Sequence, residues 1–333
     1  MICASARSLR TFDSVSRKHL IAWLKQTLFI INPASARGAT VREWLGARGR
    51  IATLDSDFDE YFTTRAQEAS EVTRDALTND VARIIAVGGD GTLSEVVNGY
   101  FDLDGRAINS AASIGLLPSG TGSDFRRSLG LKGRDDSIRK LIEGDTRLLD
   151  VARAEFRGHD DVTMSRFFIN VASFGLGGDV SGLVNRWRNS LPRWIGGRAR
   201  FSAAALAALG RYRNVRVSIR LDDQQDLQIS SNLIVVANGK FAGGGMMLAP
   251  NAELDDGLLD VIVTDGVTRW DVIKELPRIQ RGGHLKNPKV SALRARDVSI
   301  ESQEPIAADL DGEMVGYTPV RITVLPGAIK FVG

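Results

Sequence analysis

Residues 81–99 read VARIIAVGGDGTLSEVVNG. The apolar run Ile84 to Val87 predicts a buried strand of a parallel sheet. Gly88-Gly89-Asp90-Gly91-Thr92 follows as a tight turn, and Leu93, Val96 and Val97 then recur on one side of a helix. Strand, glycine turn and helix start place backbone N–H groups at a helix N-terminus, where phosphate binds. Glycine lets a ligand approach the main chain where a side chain would block it. Asp90 puts a carboxylate among those donors, which fits a cation arriving with the phosphate. The stretch therefore predicts a Mg-nucleotide site; the plainer alternative is a turn whose aspartate caps the next helix.

Outward from this stretch, strands and helices alternate. Thr27 to Pro33 reads as a buried strand, and Asn32-Pro33-Ala34-Ser35 turns into a helix around Val41 to Ala47. A weaker strand near Tyr61–Thr63 and a helix over Thr64 to Leu77 follow. Ser113 to Leu117 predicts another buried strand, ending in Pro118-Ser119-Gly120-Thr121-Gly122-Ser123-Asp124-Phe125, a second small-residue turn that opens a helix. A short helix is expected at Ile138 to Ile142. This alternation predicts a parallel α/β sheet, in which ligands bind beyond the carboxyl ends of the strands. Three loops then converge on one crevice.

After Leu149-Asp150 strand-like runs dominate: Arg166–Ala172, Val215–Leu221, Leu227–Ala237, Leu258–Thr264, Val298–Glu301, Val320–Leu325 and Ala328–Val332. A helical region from Val180 to Arg211, broken near Pro192 and Gly196-Gly197, and a helix at Trp270–Arg281 interrupt them. This half predicts a mainly antiparallel sandwich with helical insertions. The expected division is a basic extension at 1–26, an α/β nucleotide domain at 27–150 and a β-rich domain at 151–333.

Composition narrows the chemistry. The chain has 333 residues, 43% hydrophobic and 25% charged, the profile of an ordinary globular protein with room for two cores. No window offers the ~18 uncharged apolar residues of a membrane span. One cysteine excludes an intrachain disulfide, and three histidines supply no usual zinc set, so a metal should be a hard, oxygen-bound ion. Residues 1–26 carry Arg7, Arg10, Arg17, Lys18 and Lys25 against Asp13. This leader lacks the apolar core of a secretory signal and reads as an extension, with anionic lipid as its alternative partner. In the helical insert, Arg186, Arg188, Arg193, Arg198, Arg200, Arg211 and Arg213 accompany Trp187 and Trp194. That composition suits a lipid headgroup surface or a helix packed into its own domain, and nucleic acid is not expected as a partner.

The series INPASARG near residue 31, Thr63, VGGDGTLSEVVNG, LPSGTGSDFRRSLG, LLDVA at 148–152, FFINVASFGLGGDV at 167–180, LAPNAELDDGLLDV at 248–261 and DLDGE at 309–313 resembles the diacylglycerol kinase catalytic-domain family, in its bacterial lipid-kinase branch related to sphingosine and ceramide kinases. The pieces occur in the family's order over nearly the whole chain after residue 26. The resemblance implies a phosphofructokinase-like nucleotide domain followed by a β-rich lipid domain, with the active site between them. It implies that Asn32, Thr63, Gly88, Gly89, Asp90, Gly91, Thr92, Leu93, Ser94, Thr121 and Asp124 line an ATP site. It implies that Asp90, with Asp124 and Asp150, holds catalytic Mg²⁺. Asp311 and Glu313 would then supply the general base, and Asp256, with the carbonyls of Glu253 and Leu258, a second, structural Mg²⁺. In this chain Ser123 stands where the family's second turn commonly has asparagine, and Ala36-Arg37 where a glycine is often found.

A carboxylate accepting the proton of a lipid hydroxyl, with phosphate charge held by Mg²⁺ and backbone N–H groups, is a complete phosphoryl-transfer scheme. No G-x-x-x-x-G-K-[ST] occurs, so this is not a P-loop protein. The expected activity is an ATP- and Mg-dependent lipid kinase acting on a diacylglycerol-, phosphatidylglycerol- or sphingoid-type hydroxyl, cytoplasmic and peripheral at the inner membrane face. A soluble small-molecule kinase of the NAD kinase type is the alternative, and a non-catalytic nucleotide-binding regulator the third reading. The oligomeric state stays open, a homodimer included.

Overall fold

A computed structural model describes residues 26–52, 57–119, 123–187, 197–210, 212–223 and 225–333. The basic leader through residue 25, Thr121 and the centre of the arginine–tryptophan stretch lie outside the described residues. The first lobe contains β1 (Thr27–Ile31), α1 (Thr40–Ala52), β2 (Phe58–Phe62), α2 (Glu68–Thr78), β3 (Arg83–Gly88), α3 (Asp90–Tyr100), β4 (Ser113–Pro118), α4 (Asp124–Ser128) and α5 (Arg134–Glu143). Its strands are parallel in the order β2-β1-β3-β4. Side chains alternate across a strand, and the two faces use that alternation. Leu28, Ile30, Ile84 and Ala86 pack on α2 and α3 through Leu77, Leu93 and Val97. Phe29, Ile31, Ile85 and Val87 pack on α1 and α5 through Trp44, Ile51 and Leu141. A strand buried on both faces has to be apolar at every position, which is why β1 and β3 read as unbroken apolar runs.

The second lobe follows as β5 (Thr146–Arg157), β6 (Thr163–Phe168), β7 (Val171–Gly175), α6 (Leu176–Trp187), α7 (Gly197–Leu209), β8 (Val215–Leu221), β9 (Gln225–Ser231), β10 (Leu233–Ala237), β11 (Phe241–Ala242), β12 (Met246–Met247), β13 (Leu259–Thr264), α8 (Arg269–Ile279), β14 (Val290–Ala295), β15 (Asp297–Ser302), β16 (Ala307–Leu310) and β17 (Glu313–Val332). These strands pair antiparallel around a separate core that includes Phe156, Phe168, Phe174, Ile219, Val236 and Ile322. β17 joins the lobes. It pairs antiparallel with β5, β15 and β16, and its last residues, Lys330–Val332, run parallel to Ser113–Gly115 of β4. The C-terminal strand thus completes the first lobe's sheet. The fold is the expected parallel α/β lobe followed by a mainly antiparallel sandwich with helical insertions.

Several element boundaries differ from expectation. The helix expected from Thr64 begins only at Glu68, because the Glu68 carboxylate accepts the N–H groups of Thr64 (2.5 Å) and Arg65 (3.3 Å) and holds them in a turn. The run Arg166–Ala172 is two strands, β6 and β7, since the N–H groups of Ile169 and Asn170 turn to the Asp311 carboxylate. Conversely, Val320–Leu325 and Ala328–Val332 belong to one strand. Its register shifts after Leu325, where Gly327 donates its N–H to Asp150 at 2.7 Å. Leu227–Ala237 divides into β9 and β10. Strands β5, β14 and β16 were not expected. No helix among the described residues is long and apolar enough to cross a membrane.

Candidate active site between the lobes

The carboxyl ends of the parallel strands gather the first group. Asn32 donates its backbone N–H to Val87 O at 3.0 Å and its side-chain amide to Thr92 Oγ1 at 3.1 Å. Thr63 donates its N–H to Ile31 O at 2.9 Å, and Ser119 to Gly88 O at 2.8 Å. A Cβ on Gly88 would lie 2.4 Å from Thr92 Oγ1, so only glycine lets Thr92 fold back over the turn. Gly89 caps α3, and Asp90 and Gly91 form its first turn, whose N–H groups lack intrahelical acceptors. Leu93 and Ser94 are placed differently. Leu93 is a core residue of the first lobe with its N–H bonded to Gly89 O, and the Ser94 side chain is buried. At the neighbouring turn Ala36 and Arg37 have φ of 48° and 59°, so they hold the left-handed conformation that glycine adopts without cost.

Asp90 reaches across to α4. Its carboxylate accepts the Ser123 hydroxyl (2.7 Å), the Asp124 N–H (2.8 Å) and the Phe125 N–H (3.3 Å). Ser123 also caps α4 by accepting the Arg126 N–H at 3.3 Å, so it keeps both a capping contact and a bond to Asp90. Asp124 is buried. It accepts Arg127 Nη1 at 2.6 Å and the Gly244 N–H at 2.7 Å. Burial pushes its carboxyl up to about 6, and the charge of Asp90 adds to that rise. Asp90 is raised as well, by desolvation that outweighs its three hydrogen bonds. Two neighbouring acids that burial makes costly to ionise mark a place where a cation is favourable.

The other end of α4 meets the acid turn. Ser128 Oγ lies 3.4 Å from Asn170 Oδ1 and accepts the Lys240 N–H at 3.1 Å. Asn170 in turn gives its N–H to Asp311 at 3.0 Å, flanked by Ile169 and Val171 at 3.1 Å each. Asp311 has φ of 51° in the tight turn between β16 and β17. Despite those three donors, desolvation pushes its carboxyl up to about 6. Glu313 pairs with Arg166 at 2.7 Å. At ~1.5 Å per residue the α4 axis from Asp124 to Ser128 is about 6 Å long. The structure therefore brings Asp90, Asp124 and Asp311 to the two ends of one short helix. The α3 helix braces the same region: Asn98 bonds both the N–H and the C=O of Phe167 at 2.9 Å, just before the residues that hold Asp311.

Asp309 was missed by sequence reasoning. It is buried beside Asp311, accepts the Gly312 N–H at 3.2 Å, and its Oδ2 has no hydrogen-bond partner among the described residues. Burial pushes it up to about 7, with Asp311 and Glu313 adding to the rise. The only available signal was its i−2 spacing from Asp311.

Asp150 and the Asp255-Asp256-Gly257 turn form a second group. Asp150 accepts the N–H groups of Gly257 (2.6 Å) and Gly327 (2.7 Å), tying this turn to the kink in β17. Asp256 accepts the Leu258 N–H at 3.0 Å and pairs with Arg294, whose Nε is 3.5 Å from Asp260. Asp260 is pushed up to about 6 by burial and then by Glu253. Positive charge at this turn comes from Arg294. Among the described residues no three His, Cys, Asp or Glu side chains converge as a metal set.

Comparison with known proteins gives this geometry its context. Residues 26–154 match the family model of the diacylglycerol kinase catalytic domain, and residues 170–333 that of the YegS C-terminal NAD kinase beta sandwich-like domain. A Chromohalobacter salexigens protein named "Probable lipid kinase YegS-like" is 31% identical over 308 residues, covering 91% of each chain. The chain belongs to the diacylglycerol kinase family of lipid kinases. A Mycobacterium tuberculosis protein named "Diacylglycerol kinase" is 29% identical over 303 residues, 90% of this chain and 93% of that one. The solved structure of a Bacillus anthracis diacylglycerol kinase has the same fold, with a TM-score of 0.67 at 22% identity, covering 92% of this chain and 96% of that chain. This lipid kinase is thus an enzyme of a class of ATP-dependent phosphotransferases. The second lobe's family description also carries a likeness to NAD kinases.

Proposed function

We propose that this lipid kinase transfers the terminal phosphoryl group of ATP to the hydroxyl of a diacylglycerol-type lipid, at the cleft spanned by α4. The observation that carries the proposal is the hydrogen-bonded path from Asp90 through α4 and Asn170 to Asp311. Relatives named diacylglycerol kinase and lipid kinase support a lipid acceptor. Asn32, Thr63 and the Gly88–Thr92 turn face the triphosphate, whose oxygens accept N–H groups at the start of α3. Thr121, which the resemblance assigns to the same site, lies outside the described residues. Asp90 and Asp124 would hold Mg²⁺, which when bound neutralises phosphate charge. A structural Mg²⁺ at Glu253, Asp256 and Leu258 would have to displace Arg294 from Asp256.

Asp311 is assigned as the general base. A carboxylate offers about four acceptor positions, and three are filled by backbone N–H groups, which fix the side chain and leave one on Oδ2 for the substrate hydroxyl. A proton affinity near 6 keeps the group ionised at neutral pH yet basic enough to take a proton as the new P–O bond forms. Arg166 holds Glu313 beside it. The test is incubation of the full chain with labelled ATP, Mg²⁺ and mixed vesicles of extracted lipids, with NAD as a competing acceptor, followed by mass analysis. Label in a lipid phosphate is expected. Label in NADP alone would overturn the lipid assignment in favour of the small-molecule alternative.

A further inference from the structure

The outward face of α8 carries a composition that the first lobe and the cleft do not use. Arg269, Trp270, Ile273, Lys274, Pro277 and Arg281 all point to solvent, with Trp270 62% and Ile273 37% exposed. Residues 270, 273, 274 and 277 share one side of the helix, and the exposed Arg281 follows just past its C-terminal end. The helix contains two acids, and neither lies on that side. Asp271 closes the capping box with Thr268 and pairs with Lys289 at 2.8 Å. Glu275 is 15% exposed and accepts Arg278 at 2.9 Å and Asn287 at 3.1 Å. Arg269 stacks 5.9 Å above the Trp270 ring. Among the described residues, Arg269, Lys274 and Arg281 have no acidic partner.

From this arrangement we infer that the outward face of α8 docks on an anionic lipid bilayer, with Trp270 and Ile273 entering the headgroup boundary and Arg269, Lys274 and Arg281 meeting lipid phosphates. The charge decides the occupant. A protein partner of ordinary stability buries a desolvated apolar core depleted of charge, whereas this face has two large apolar side chains ringed by unpaired cations. A bilayer interface accepts that ratio, because the apolar tips insert while the cations stay at the headgroups. The position also suits the substrate of the proposed reaction. Val272, on the inner side of α8, packs against the α6–α7 cluster. On α6, Ser181 lies beside Asp309, and Gly182 faces Met314 next to Glu313. One helix therefore separates the docking face from the acid turn. The inference rests on the kinase reading for this consequence alone.

The full chain, without nucleotide, is sedimented with vesicles of phosphatidylcholine and of phosphatidylcholine with phosphatidylglycerol. A membrane-proximal basic residue carries enough attraction that Arg269→Glu, Lys274→Glu and Arg281→Glu together should weaken binding to the anionic vesicles by about tenfold or more. Trp270→Ala should weaken partition into both vesicle types, and added salt should weaken the wild type toward the triple variant. All four positions are exposed, so melting temperature should be unchanged, and turnover of a short-chain, water-dispersed diacylglycerol should be equal in wild type and variants. Wild-type binding by the triple variant would overturn the inference. So would a dimer in solution that the same substitutions dissociate, which would make the face a contact between copies of this chain. Absence of turnover in the wild type itself would count against the kinase reading and leave the vesicle result standing.

Discussion

Asp309 illustrates how burial sets the chemistry of one residue. Its carboxyl, pushed up to about 7, binds a proton more tightly in the folded chain than in the unfolded one. Folding therefore carries no ionisation cost below about pH 4, a cost that grows between about pH 4 and 7, and a constant one above that. Asp309→Asn removes that cost. The variant is expected to unfold in urea with a stability higher by about 1–3 kcal/mol at pH 8, the difference vanishing toward pH 4. An unchanged pH profile would mean that Oδ2 is solvated in the protein. At this scale the sequence was legible where a residue's role follows from near neighbours. Asp90 and Thr92 sit in a strand–turn–helix pattern that fixes their surroundings within a few residues. Asp309 was not legible, because its isolation depends on β7 and α6, brought to it by the fold. Leu93 shows the converse: proximity to the turn in sequence put it among the phosphate-facing residues, while helix periodicity turns its side chain into the core.

Among elements, α4 is five residues long and meets the Asp90 turn at one end and the residues that hold Asp311 at the other. Its N-terminus is held by Ser123 from within and by Asp90 from outside, and its C-terminus meets Asn170. Ser123→Ala removes the cap and one Asp90 contact together. The expected result is a loss of about 1 kcal/mol of stability and a lowered kcat, checked by denaturant unfolding beside steady-state kinetics. Ser123→Asn, which restores the residue common in related turns, should recover most of both. Two of the boundary errors, at β6–β7 and in β17, share one cause. Side chains distant in sequence took over backbone groups that local patterning assigned to strands. Asp311 draws away the N–H groups between β6 and β7, and Asp150 kinks β17 at Gly327. Neither carboxylate is within a hundred residues of the backbone it redirects, so no local pattern reports it.

For the whole molecule, β17 makes the two lobes interdependent. Lys330–Val332 flank β4, and Phe331 and Val332 sit in the two cores of the first lobe although they end the chain. Deleting residues 328–333 should therefore destabilise the first lobe as well as the second, and calorimetry of the intact chain should show one cooperative transition. Two resolved transitions, or a truncated chain with an undisturbed first lobe, would contradict this. The alternation of the parallel lobe and the strand-rich second half were readable because both follow from apolar periodicity. The return of the last strand to the first sheet was not, since nothing local to residues 328–332 names its neighbour. That return sets the lobes across α4, and on it the account's central claim depends: Asp311 takes the proton of the hydroxyl that attacks a triphosphate held at the Asp90 turn. The direct test is the rate of label transfer from Mg-ATP to vesicle diacylglycerol across pH, for wild type and Asp311→Asn. The wild-type rate should fall as the pH drops through about 6, and the variant should be slower by about 10²–10⁴-fold, with that acid limb gone and ATP affinity retained. Transfer by Asp311→Asn at the wild-type rate, with the same acid limb, would contradict the claim.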